Sequence, residues 1–104
     1  MEKWYKITKG MWKRFPEGYE PFKMVARILE ECGEVASEVN HWENIGVKKQ
    51  KRGEPSKEAL AKEVMQAMRA LMEIVVYYGI EKEFELAFNT SYEFLQKEGH
   101  IEGD

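Results

Sequence analysis

Glu31, Glu34 and Glu38 recur at i, i+3 and i+7, the spacing that lines side chains along one face of a helix. Three like charges so placed repel one another. A hard divalent cation removes that repulsion, because Mg²⁺ takes oxygen ligands and keeps several waters that phosphate can displace. The same spacing also fits a solvated acidic face in a chain of which 34% is charged, and the row alone does not choose between the two. Glu63 follows Glu34 after 28 intervening residues, with Ala59 and Ala67 one turn either way and Ala70 and Ile74 further along. A carboxylate among small apolar residues is costly to bury unless something positive sits against it. Glu63 therefore favours a cation site.

Other reactive groups are less telling. Glu38 and His41 form an E-x-x-H pair, the ligand spacing of di-iron bundles, but such bundles need a second copy and the chain has none. His41 then reads as a helix-end residue or a substrate contact. Trp42 follows the carboxylate row on the same side, where it could stack on a base or fill a core or subunit seam. Lys48 and Lys49, with Lys51 and Arg52, could supply positive charge to phosphate, or be a solvated loop. Cys32 cannot form an internal disulfide and falls among apolar positions, which predicts a buried thiol.

These side chains need helices to position them. No strand-like alternation or internal repeat is present, and four helical segments account for most of the chain. The first spans about Trp4 to Arg14 and is followed by a turn at Phe15-Pro16-Glu17-Gly18. Pro21, whose missing N–H costs nothing in a first turn, opens a second helix running to about Trp42. Residues 44–55, with two glycines and a proline among the basic side chains, read as an exposed loop. Ser56 is an N-cap for a third helix, which Gly79 ends; the fourth runs from about Ile80 to Lys97 and ends at Gly99. Placed at about 100° per residue, Val25, Ile28, Leu29, Cys32, Val35, Ala36 and Val39 form the apolar arc of the second helix. Leu60, Val64, Met68, Leu71 and Val75 form that of the third. The expected fold is all-α: one domain over residues 1–104, an antiparallel bundle of about four helices.

Composition sets the boundaries. With 43% hydrophobic residues the chain should fold as one core, and a net charge of −3 gives no pull towards a nucleic-acid polymer. No apolar stretch reaches the roughly eighteen residues of a membrane span, and no secretory leader opens the chain, so a cytoplasmic location is expected.

The order Glu31-Cys32-Gly33-Glu34, a spacer, then Glu63-Val64-Met65-Gln66 resembles the MazG-like all-α nucleotide pyrophosphohydrolases, whose signature is E-x-x-E, a spacer and E-x-x-D. ILEECGEVASEVN (28–40) is similar to the family's first metal helix and KEALAKEVMQAMRAL (57–71) to its second. GIEKEFELAFN (79–89) is similar to the link into its last helix. The resemblance covers residues 22–97. It implies a Mg²⁺-dependent hydrolase, with Mn²⁺ as a substitute, that cuts a nucleoside triphosphate to the monophosphate and pyrophosphate. Glu31, Glu34, Glu63 and Gln66 would be the metal positions, Glu34 the base, and Asn89 a substrate contact. It also implies a bundle completed by oligomerisation, as a homodimer or homotetramer.

The chain departs from the family pattern at three places. Gln66 offers a neutral carbonyl where the family has an anionic aspartate. Tyr92 and Gln96 stand where the family tends to carry basic residues that would grip phosphate. A catalytically silent relative that binds nucleotide or forms oligomers is the alternative these departures keep open.

Overall fold

The computed structural model describes residues 1–43 and 53–102, and these are helical without strands. The helices are α1 (Glu2–Arg14), α2 (Pro21–Trp42), α3 (Lys57–Tyr77) and α4 (Glu81–Lys97), with a 3₁₀ turn at Pro16–Gly18. Their ends follow local chemistry. Pro21 lies in the first turn of α2, and the Glu20 side chain accepts from the Lys23 N–H. Ser56 Oγ caps α3 by accepting from the Ala59 N–H at 3.1 Å. Gly79, at φ 63°, closes α3: its N–H donates to the Val76 carbonyl and the Ile80 N–H to the Val75 carbonyl. Gly99, at φ 79°, repeats the pattern after α4. Both glycines take the left-handed conformation that a side chain resists.

The helices α2 and α3 run antiparallel as the main packed pair. Arg27 meets Glu73 near one end and Glu34 meets Glu63 towards the other. Ala67 and Ala70 are buried along this seam, and small residues there let the two backbones approach closely. Helix α1 packs on α3 through an aromatic stack. Trp12 lies 4.9 Å from Tyr19 with the rings 5° apart, and 5.7 Å from Tyr77. Met24 and Thr8 are fully buried, with Thr8 Oγ1 donating to the Trp4 carbonyl at 2.7 Å.

The apolar arcs do not lie where their periodicity suggests. On α2 the residues turned towards α3 are Met24, Arg27, Ile28, Glu31, Val35, Glu38 and His41, whereas Val25, Leu29, Cys32, Ala36 and Val39 face outward. Cys32 is accordingly exposed, not buried. The reason is that periodicity finds an apolar face without saying which surface covers it; inside one chain, α3 covers the mixed, charged face instead. On α3, Val64, Met68 and Leu71 are likewise exposed, and only Val75 of the expected arc is buried. Helix α4 buries none of its residues and is tied back by the Tyr5 hydroxyl donating to Glu85 at 3.1 Å.

The result is a thin, open layer. Its extents are 45 × 43 × 21 Å, the shortest being about two helix diameters. The radius of gyration is 17.0 Å, against about 13 Å for a compact domain of this length. No helix among the described residues is long and apolar enough to cross a membrane.

Candidate metal centre

The α2–α3 seam brings Glu31, Glu34 and Glu63 together. One carboxylate oxygen from each lies within 4.8 Å of the others. Glu31 and Glu34 are neighbours on consecutive turns of α2, and the antiparallel register carries Glu63 of α3 opposite them. Glu31 and Glu63 are half-buried and Glu34 is exposed, so the cluster has an inner wall and an open mouth. One oxygen each of Glu31 and Glu63 is buried without a hydrogen-bond partner. Buried carboxylate oxygens are normally satisfied, and two orphaned ones converging on a third carboxylate fit a cation that takes oxygen ligands. Gln66 is half-buried one turn beyond Glu63 on the same side of α3.

Crowding shows in the acid strengths. Glu31 is pushed above the ordinary glutamate range, first by burial and then by the charge of Glu34; Arg69 pulls it back down. Glu34 is also raised, by sharing a hydrogen bond with Glu63 and by the charge of that same carboxylate. A carboxylate so raised is a stronger base than a free one.

The remaining expected site residues are dispersed. Glu38 is buried and outside the cluster, while Trp42 is the last residue of α2 and partly exposed. Asn89 is exposed on α4. Lys48 and Lys49 lie outside the described residues. His41 is buried; its Nε2 donates to the Gly53 carbonyl at 2.6 Å, and its Nδ1 is 4.0 Å from Glu38. A carbonyl only accepts, so this imidazole nitrogen carries a proton and straps the chain before α3 to the end of α2. That is the helix-end role, and it takes His41 Nε2 away from ligand duty.

The periodicity reading passed over three charged residues on the seam. Arg27 Nη1 donates to both oxygens of Glu73, at 2.9 and 2.7 Å, and Nη2 donates to the Gly18 carbonyl at 2.8 Å. Arg69 sits between that pair and the cluster along α3. The signal was present, since Arg27, Glu31 and Glu38 fall at i, i+4 and i+11, one helical stripe; its charges made it look solvent-facing. No family model, curated protein or solved structure matches the chain.

Proposed function

We propose that Glu31, Glu34 and Glu63 hold Mg²⁺, or Mn²⁺ in its place, and that the protein is a MazG-like nucleotide pyrophosphohydrolase releasing pyrophosphate from a nucleoside triphosphate. The observation that carries the reading is the convergence of three carboxylates with two buried, unpartnered oxygens among them. The cation would neutralise charge on the phosphate oxygens as the transition state develops. Glu34 is exposed at the mouth of the cluster, where water and substrate arrive. Its carboxylate takes a proton from the attacking water. The water oxygen bonds to the α-phosphorus, the bond from that phosphorus to the bridging oxygen breaks, and its electrons leave on pyrophosphate.

Assembly belongs to the same reading. Phe22 is 84% exposed and Leu29 69% on α2, and Leu86 is 68% and Phe94 61% on α4. Large apolar side chains left this open on two helices are candidates for an interaction face. A second copy covering the outer side of α2 and α3 would complete a four-helix core and deepen the open mouth of the cluster.

A panel of standard and damaged triphosphates tests the reading through pyrophosphate release with Mg²⁺ or Mn²⁺. Release from at least one, abolished in Glu34→Gln, is expected. Gln66 supports a second reading, a catalytically silent relative. No release across the panel, with Gln66→Asp gaining activity, would decide for it.

A further inference from the structure

A cavity of about 200 Å³ is lined by Met11, Phe15, Tyr19, Arg27, Arg69 and Glu73. It has room for several waters or a small anion.

Its charges do not cancel. Arg27 and Glu73 neutralise one another, and the Gly18 carbonyl occupies the other arm of the Arg27 guanidinium. Among the lining residues Arg69 is left over, its charge facing that of Glu31 in the cluster and its Nε buried without a hydrogen-bond partner. A buried N–H on a guanidinium is among the more expensive groups to leave unmatched. The wall therefore presents one net positive charge and at least one idle donor, which is the chemistry of an oxyanion site. Position adds to this. Arg69 stands six residues beyond Glu63 on α3, about 9 Å along the helix axis, the scale of a triphosphate chain.

We infer that Arg69 and this cavity form a phosphate subsite that receives the pyrophosphate end of a nucleoside triphosphate whose α-phosphate lies at the carboxylate cluster. The nucleotide half of this statement rests on the function proposed above; the oxyanion half does not.

Calorimetric titration of the full chain with inorganic pyrophosphate in EDTA tests the oxyanion half, since no cation is then available to the cluster. Saturable binding is expected, weakened about tenfold or more in Arg69→Ala and less in Arg69→Lys, which keeps the charge and loses the fork. Absence of binding, or equal binding by wild type and Arg69→Ala, overturns the inference. Arg69→Gln, which keeps most of the side-chain volume, guards against a folding defect and should weaken binding like Arg69→Ala. Competition reads the source of the anion: triphosphate in EDTA should displace pyrophosphate, and failure to displace it overturns the nucleotide assignment. If pyrophosphate binds through Arg69 and is displaced by triphosphate while no triphosphate is hydrolysed, the subsite stands and the hydrolase reading falls. If triphosphate is hydrolysed with the same KM in wild type and Arg69→Lys, and pyrophosphate does not bind, the hydrolase stands and the subsite falls.

Discussion

The Arg27 guanidinium on α2 closes on the Glu73 carboxylate of α3 at 2.7 and 2.9 Å, with the Glu73 side chain only 4% exposed. The pair joins residues 46 apart in sequence and sets the antiparallel register of the seam. Gly18 belongs to the same arrangement, because a Cβ there would meet Arg27 Nη2 at 2.7 Å.

Removing one member of a buried pair strands the other. Arg27→Met should lower unfolding stability by about 3 kcal/mol, the lower end of the range because Arg27 is itself partly exposed. Arg27→Met combined with Glu73→Leu should recover most of that loss. Urea denaturation of both single variants and the double variant gives the coupling directly.

Acid should stabilise the cation-free protein over a limited range. Glu31 and Glu34 bind protons more tightly when folded than when unfolded, so their contribution to stability rises as pH falls through the raised native values. It is complete below the ordinary glutamate value of 4.5. Glu58, lowered by its backbone and Ser56 hydrogen bonds, works the other way and loses stability below 4.5. The melting temperature in EDTA should therefore climb on acidifying from neutral pH and fall again below about 4. With Mg²⁺ present the upper limb should flatten. A melting temperature independent of pH in EDTA between 7 and 5 would count against crowding in the cluster.

Glu34→Gln should separate stability from activity. It deletes a charge from the crowded mouth, so the melting temperature in EDTA should rise while the increment on adding Mg²⁺ shrinks. Pyrophosphate release should fall about a thousandfold, within the range for loss of a general base. A variant that loses stability in EDTA would show that Glu34 supports the fold instead of straining it.

Leu29→Glu places a charge on the outer face of α2 without touching the seam, since Leu29 is already 69% exposed. Sedimentation should show a shift to monomer with the helix content of α2 and α3 retained. The wild-type melting temperature should rise with protein concentration, and that of Leu29→Glu should not.

Helix boundaries were legible because short-range chemistry determines them. Pro21, Ser56, Gly79 and Gly99 act within a turn of themselves, and the observed ends lie within two residues of those expected. The cluster was legible in outline, since Glu63 on a face of alanines had no good reason to be a solvated glutamate. The side of α2 that α3 covers was not legible. Arg27, Glu38 and His41 look like surface residues until Glu73 and the Gly53 carbonyl are brought against them, and that pairing depends on three-dimensional register. Arg69 was missed for the same reason: an arginine between alanines gives no sign in sequence of an unfilled cavity beside it.

Helix α4 carries a consequence for the order in which the molecule comes apart. A 17-residue helix with no buried residue starts from Ile80 without a side-chain cap, ends at Gly99 and, among the described residues, takes a hydrogen bond from the Tyr5 hydroxyl; isolated helices not much shorter are marginal by themselves. Its helicity is thus borrowed from whatever lies across its apolar side. On dilution, amides of α4 should exchange with deuterium first, as a separate cooperative unit, while the α2–α3 seam stays protected.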